Sequence, residues 1–130
     1  MDHPNLDLVR RAYAAYLSSD LAEVQAIFDP DLVWHNSGFD ATSGDRQGID
    51  EVLAYLWADN HLEDYRLDVT DMLASDTRVA VVARTSGRLG DRPLVNEFVQ
   101  VIRIDGGRVA DVWNYTWDQR ALAEALPVPA

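Results

Sequence analysis

Apolar residues recur at helical spacing in the first half of the chain and alternate with polar residues in the second half. Two helices are predicted near the N-terminus. Their apolar faces are formed by Leu6, Val9, Tyr13, Tyr16 and Leu17, and then by Leu21, Val24, Ile27 and Phe28. Pro4 suits the first position of the first helix. Asp20, with Glu23 three residues later, predicts an N-cap for the second helix, and Pro30 is expected to stop it.

The remaining elements follow from the change of period. A short strand is predicted over 31–38, a polar loop over 39–48, and a third helix over 49–60. Alternation then predicts four strands separated by turn-forming residues, and a short helix closes the chain. These segments span 65–75, 78–89, 93–104, 108–118 and 119–126. Helices followed by a run of strands predict one α+β domain over residues 1–130, with a curved antiparallel or mixed sheet covered by helices on one face.

Composition removes several classes of function. The 130 residues carry a formal net charge of −11, with 11 arginines, no lysine and no cysteine. This charge repels nucleic acid, and the missing lysine excludes Schiff-base chemistry. Disulfides and thiolate metal sites are also excluded. His3, His35 and His61 lack metal-site spacing, so we expect no metal and no cofactor. No signal-like or membrane-spanning apolar run is present, and we expect a cytoplasmic protein that does not enter a membrane.

Three motifs point to a known family. "LVWHNSG" precedes a helix that begins G-x-D-x-V, and "IRIDGGRVADVWNYTWD" lies near the end. In this order of elements, the chain resembles the nuclear transport factor two-like superfamily and its SnoaL-like domains, over nearly its whole length. That superfamily includes polyketide cyclases, ketosteroid isomerases and limonene epoxide hydrolases. The resemblance implies a cone-shaped barrel in which a curved sheet wraps the N-terminal helices around an apolar pocket.

The resemblance also implies where site residues lie. Asn114 falls where the cyclases and epoxide hydrolases place an acid/base aspartate. Gln100 falls on the protonated aspartic acid of the isomerases and on a histidine of the cyclases. Asn36 falls on the isomerases' general base and on a water-holding asparagine of the epoxide hydrolases. Ser86 falls on an aspartate of the epoxide hydrolases. Since amides do not exchange protons near neutral pH, Asn36, Gln100 and Asn114 are predicted to hold or polarise an oxygen group.

Proton transfer, if there is any, would then fall to other groups. His35 has a suitable free pKa of ~6.5, although strand alternation puts it on the face opposite Asn36. Asp118 could act at the end of the last strand or cap the closing helix. Asp40 and Asp45 lie in the loop predicted over the pocket mouth. His61 is expected to be a solvated residue near the pocket rim.

Substrate contacts are predicted from aromatic residues and from strand faces. Trp34, Phe98 and Val112 share strand faces with the predicted amides, whereas Arg84 sits mid-strand and needs a carboxylate partner if it points inward. The full predicted set is Trp34, Tyr13, Tyr16, Trp57, Arg84, Phe98 and Val112. On the last strand, Ala110 shares the face of Val112 and Asn114, while Asp111 shares the opposite face with an aromatic stripe of Trp113, Tyr115 and Trp117. The stripe predicts a homodimer interface. A register error of one residue would exchange Asp111 and Asn114.

Two functions of different class remain open. The first is a cofactor-independent enzyme acting on a hydrophobic oxygenated small molecule, of the cyclase, isomerase or dehydratase type, with epoxide hydrolase as a further alternative. The second is a non-catalytic module that binds a small ligand or dimerises. A pocket that contains an ionisable group with a shifted pKa favours the enzyme, whereas a pocket of neutral amides and hydroxyls favours binding.

Overall fold

The computed structural model describes residues 3–57 and 62–128. Four helices and six strands follow one another in an α+β order. They are α1 (Pro4–Leu17), α2 (Leu21–Ile27), β1 (Phe28–Asn36), β2 (Gly44–Gln47), α3 (Ile49–Leu56), β3 (Glu63–Ala74), β4 (Arg78–Leu89), β5 (Arg92–Asp105), β6 (Arg108–Thr116) and α4 (Gln119–Ala125).

Side chains at the helix starts determine where the helices begin. Pro4 occupies the first turn of α1, as predicted, and the His3 side chain caps that helix by accepting from Asn5 N. The Asp20 carboxylate accepts from Glu23 N at the start of α2. Asp118 does the same for α4 by accepting from the backbone N–H of Ala121, which satisfies one of the amides that a helix start leaves without a partner.

The six strands form one open, mixed sheet in the order β2-β1-β6-β5-β4-β3. β1 and β6 pair in parallel, and all the other neighbours pair antiparallel. The predicted curved sheet is therefore confirmed, and of the two arrangements expected, antiparallel or mixed, it is the mixed one. β2 replaces part of the loop predicted over 39–48. It is an edge strand of polar and glycine residues, so it carries no apolar alternation that could reveal it.

The junction between α2 and β1 also differs from prediction. Phe28 was expected to extend the second helix, but its backbone is extended and it begins β1. Phe28 pairs with Val109 across the parallel ladder. Sheet pairing therefore ends the helix at Ile27, before the chain reaches Pro30.

A bulge in β6 changes which side chains face inward. Arg103 pairs with Asp111 while the next residue, Ile104, pairs with Val109, which leaves Ala110 as an extra residue on β6. Val109 therefore lies on the inner face together with Val112, three positions away. Alternation from Val112 does not predict Val109 there, because a bulge breaks the strict alternation of a strand. Ala110 is also buried, and its place on the inner face stays a prediction.

The helices pack against the concave face of the sheet. Fully buried core residues come from α1 and α2 (Val9, Val24, Ile27), from α3 (Val52), and from the inner face of the strands (Leu32, Val79, Val81, Val109, Val112). Burying a side chain of this size stabilises the fold by roughly 1.5–3 kcal/mol. This packing fills one part of the concave side and leaves the other part as a cavity. No helix among the described residues is long and apolar enough to span a membrane.

Candidate functional site

A cavity of about 260 Å³ lies between the concave face of the sheet and helices α1, α3 and α4. Strand register arranges its sheet wall in rows. Asn36, Asn114 and Gln100 stand side by side on β1, β6 and β5. An apolar row of Trp34, Val112 and Ile102 lies on one side of these carboxamides, and Thr116 with Phe98 lies on the other.

Hydrogen bonds connect two of the three carboxamides to their surroundings. The indole Nε1 of Trp34 donates to Asn36 Oδ1 at 2.9 Å, and Asn114 Nδ2 donates to the same oxygen at 2.8 Å. Asn36 Nδ2 donates to the Thr42 carbonyl at 2.8 Å and to the Tyr55 hydroxyl at 2.9 Å. Asn36 is therefore held by four partners and fixes the position of Asn114 beside it.

The third carboxamide is held from the helix side. The hydroxyl of Tyr13, on α1, donates to Gln100 Oε1, and Gln100 itself is buried. Tyr13 is one of four cavity-lining tyrosines, together with Tyr16, Tyr55 and Tyr65. Arg46 stacks over the Tyr55 ring, 4.1 Å from its centroid, and its Nη1 donates to the Thr42 carbonyl at 2.6 Å. Tyr13, Tyr16 and Tyr55 thus give the cavity hydrogen-bonding groups on its helix side, and Tyr65 adds one from β3.

The cavity is electrically neutral. None of its lining side chains among the described residues is Asp, Glu, His, Arg or Lys. Burial raises the pKa of Tyr13 and of Tyr55 above the ordinary value of 10, and for Tyr55 it outweighs the opposing effects of Asn36 and Arg46. Burial, together with the neighbouring Tyr16 phenol, also raises the pKa of Tyr65. These three tyrosines are therefore protonated at neutral pH and can donate hydrogen bonds.

The structure brings most of the predicted site residues to this cavity. The amides Asn36, Gln100 and Asn114 line it, and Asn114, not Asp111, faces inward. The predicted substrate contacts on its wall are Trp34, Tyr13, Tyr16, Phe98 and Val112. Location on the cavity wall does not test the chemical roles of these residues, which stay predictions.

His35 lies on the opposite face of the sheet. Its Nδ1 is 2.9 Å from Asp45 Oδ1, its Nε2 is 3.4 Å from Asp111 Oδ1, and its ring stacks on Trp113 at 5.2 Å between centroids. Arg103 completes the group through a salt bridge to Asp111. Alternation along β1 places His35 there, so it does not reach a molecule in the cavity and is not proposed as catalytic.

Two further predicted substrate contacts, Arg84 and Trp57, also lie outside the cavity lining. Arg84 is exposed on the outer face, where its guanidinium is 4.0 Å from Asp68, and Ser86 shares that face because Thr85 between them lines the cavity. Trp57 is half-buried against the core behind the wall, and its Nε1 donates to the Tyr16 carbonyl at 3.3 Å. Neither Arg84 nor Trp57 is on the lining.

The candidate carboxylates also have structural partners. Asp118 caps α4. Asp40 is buried within its own loop, where it accepts hydrogen bonds from Thr42 and Ser43, and Asp45 pairs with His35. None of these carboxylates lines the cavity. His61, predicted near the pocket rim, lies outside the described residues.

The polar lining residues that were not predicted as site residues include two tyrosines and an asparagine. Tyr55 on α3 and Tyr65 on β3 face the cavity, as does Asn96 on β5. Asn96 was detectable, since it lies two and four residues from Phe98 and Gln100 and so shares their face. Tyr55 was not detectable, because the helical pattern of α3 predicts which face points inward. It does not predict which part of that face borders a cavity and which part borders the core.

Together, the curved mixed sheet and the helices on its concave side define a small α+β domain that encloses a cavity lined by neutral side chains among the described residues. The family model described as "SnoaL-like domain" matches residues 9–112. The chain belongs to this family.

Similar proteins agree on the fold. The uncharacterized protein Rv0034 of Mycobacterium tuberculosis (strain H37Rv) is 32% identical, over 92% of this chain and 94% of its own. The structure of Bal32a, from a soil-derived mobile gene cassette, is 27% identical with a TM-score of 0.85, covering 95% of this chain and 96% of that one. The structure of TerC co-crystallized with polyporic acid is 18% identical with a TM-score of 0.75, covering 88% and 92%, and this likeness shows the fold alone.

Proposed function

We propose that this protein binds an uncharged, largely apolar, oxygen-containing small molecule in the tyrosine- and amide-lined cavity. The observation that carries the proposal is the lining itself: aromatic and aliphatic walls, whose polar side chains among the described residues are neutral amides, hydroxyls and the Trp34 indole. An ionised ligand would lose its hydration there without meeting an opposite charge. SnoaL-like domains bind small hydrophobic ligands, and the solved complex of TerC with polyporic acid is one relative with an organic molecule bound.

The size of the cavity supports a compact ligand. Its volume of about 260 Å³ lies just below the range of ~300–1,000 Å³ that pockets for small molecules span. A molecule of one or two fused rings is therefore a better match than a large polycyclic substrate. Trp34 on the wall supplies an intrinsic fluorescence signal that responds to such a ligand.

The binding test compares a neutral probe with an anionic one of similar shape. We expect 2-tetralone to quench tryptophan fluorescence with a dissociation constant at least about tenfold below that of 2-naphthoate, because the carboxylate loses hydration in a site without cations. Ala12 lines the cavity from α1, so an Ala12→Phe variant that retains its circular dichroism spectrum should lose the 2-tetralone signal. Tighter binding of 2-naphthoate would refute the proposal.

Catalysis of the cyclase, isomerase or dehydratase type is the second candidate, since the family includes polyketide cyclases and isomerases. The observation that favours it is the set of fixed donors. Tyrosines held protonated, and carboxamides held by neighbours, can stabilise charge that develops on an enolate oxygen, and each such donor is typically worth ~3 kcal/mol. Removal of a carbon-bound proton needs a base, and none of the described lining residues is one at neutral pH.

A proton-exchange measurement distinguishes binding from this catalysis. We expect the protein to bind 2-tetralone without accelerating exchange of its α-protons in D₂O, as followed by proton NMR. Acceleration that disappears in Tyr13→Phe would instead support an isomerase. Epoxide hydrolysis is not proposed, because it requires an acid beside a held water and the described lining contains no carboxylate.

The outer face of the sheet is proposed to form a homodimer interface. Val82, Val99 and Tyr115 lie in register across β4, β5 and β6, and Trp117 is 85% exposed beside them. An apolar surface of this kind on a small domain is typical of an interface. Charged groups at its margin, such as Arg84 and Asp111, would form the polar rim.

A further inference from the structure

Two buried side-chain atoms have no hydrogen-bond partner within the described part of the protein, and both are acceptors. They are the amide oxygens of Asn114 and Asn96, and both residues line the cavity. A buried polar atom without a partner is costly, so native structures seldom leave one unless something else binds to it. Both oxygens are therefore candidates for contact with a ligand that donates a hydrogen bond.

The orientation of the Asn114 amide follows from its neighbours. An indole N–H can only donate, so the Asn36 atom that faces Trp34 Nε1 is the carbonyl oxygen. The same oxygen is 2.8 Å from Asn114, which must present its NH₂ group to it. The remaining atom of the Asn114 amide is then the oxygen. Exchanging the nitrogen and oxygen of Asn114 would place two acceptors against each other.

A donor stands on the other side of Asn36. The Tyr55 hydroxyl accepts from Asn36 Nδ2 at 2.9 Å and keeps its own proton for donation, since burial holds the phenol in its neutral form. Asn36 is thus hydrogen-bonded to two side chains that still have bonding capacity. The Tyr55 hydroxyl has a proton to donate, and the Asn114 amide has an oxygen without a donor. A hydroxyl is the neutral oxygen group that both accepts and donates, whereas a ketone or an ether only accepts.

We propose that the ligand carries a hydroxyl group, as an alcohol, an enol or a phenol, which donates to Asn114 Oδ1 and accepts from Tyr55. This inference rests on the proposed function and names the chemical class of its ligand. The Asn96 oxygen lies four residues from Gln100 along β5, roughly 13 Å away at the usual rise per strand residue. It is assigned to a second donor at the far end of the ligand.

The experiment uses two probes, 2-tetralol and 2-tetralone, that differ only in carrying a hydroxyl or a ketone group. For the wild-type protein we expect the tighter enantiomer of 2-tetralol to bind at least about tenfold more tightly than 2-tetralone, because the ketone leaves Asn114 Oδ1 without a donor. Tryptophan fluorescence and calorimetry give both dissociation constants. Equal affinities in the cavity would overturn the inference and leave the proposed function intact, whereas binding of neither probe would overturn both.

Three variants test which side chains bind the hydroxyl group of the ligand. Asn114→Leu should weaken 2-tetralol alone and remove the alcohol preference. Tyr55→Phe should weaken both probes alike, because each accepts from that phenol. Asn96→Leu is the matched control and should keep the preference. If Asn96→Leu removes the preference and Asn114→Leu does not, the assignment to Asn114 is wrong. The wild-type ratio needs no variant and decides the inference if Asn114→Leu fails to fold.

Discussion

The substitution Asn114→Asp tests the neutral lining directly, because it replaces an amide by a carboxyl of the same shape. Asn114 Nδ2 donates to Asn36 Oδ1, and the Trp34 indole fixes that oxygen in place. A protonated aspartic acid can make the same bond through its O–H. An ionised carboxylate would instead face the Asn36 oxygen, acceptor against acceptor, in a wall to which the described residues contribute no cation.

Both effects raise the pKa of the new carboxyl. Burial disfavours the charged form, and a hydrogen bond that only the protonated form can make acts in the same direction. We expect a pKa of about 6 to 7 in the folded protein, against ~3.9 in the unfolded chain. Since the folded pKa is the higher one, the folded state binds more protons between these values. Stability is therefore fully present below pH ~4 and falls as pH rises, by about 3 to 4 kcal/mol once pH exceeds the folded pKa.

The assay is urea unfolding of the variant and the wild type between pH 4 and pH 8. The difference between their unfolding free energies isolates the new group from the pH dependence of the rest of this acidic chain. Gln25→Glu is the matched control, since Gln25 is exposed on α2 and its carboxyl should titrate like a free one. The reasoning is refuted if Asn114→Asp loses no more stability than Gln25→Glu between pH 5 and pH 8.

Three further outcomes follow from the same structure. Tyr13→Phe leaves the buried Gln100 oxygen without its donor and should lower the free energy of unfolding in urea by about 1–3 kcal/mol; a loss of less than about 0.5 kcal/mol, as is usual for surface substitutions, would contradict this. Absorbance at 295 nm should show three tyrosines, Tyr13, Tyr55 and Tyr65, ionising only above pH 10. Because the folded pKa values of these tyrosines are raised, their contribution to stability is present below pH ~10 and is lost above it. Titration of all five tyrosines near pH 10 would contradict this. Light scattering after gel filtration should give twice 14.6 kDa for the wild type and 14.6 kDa for Tyr115→Glu, and a monomeric wild type would refute the proposed dimer.

Most of the fold was predictable because its elements are long and regular. The four long strands were placed within a few residues, since period-two alternation and Asp-Gly or Gly-Asp turns are local signals. Asp20 was recognised as a cap for the same reason, and capping was one of the two roles predicted for Asp118. β2 was missed because an exposed edge strand needs no apolar alternation. The end of α2 was misplaced because Phe28 pairs with Val109 on β6, a strand far along the chain.

The sequence alone determined that Asn36, Gln100 and Asn114 lie on one side of their strands, because alternation is a property of each strand by itself. It did not determine that Val109 joins Val112 on the inner face, since that depends on a bulge against β5.

Only the tertiary structure decided what those amides face. Tyr13 and Tyr55 reach them from α1 and α3, which are separated from β5 and β6 by long stretches of chain. The same packing removes every charged side chain of the described residues from the cavity wall and leaves an acceptor without a partner at Asn114. Hydrogen bonds between distant segments exist only once the helices are docked on the sheet, so no local pattern in the sequence encodes them.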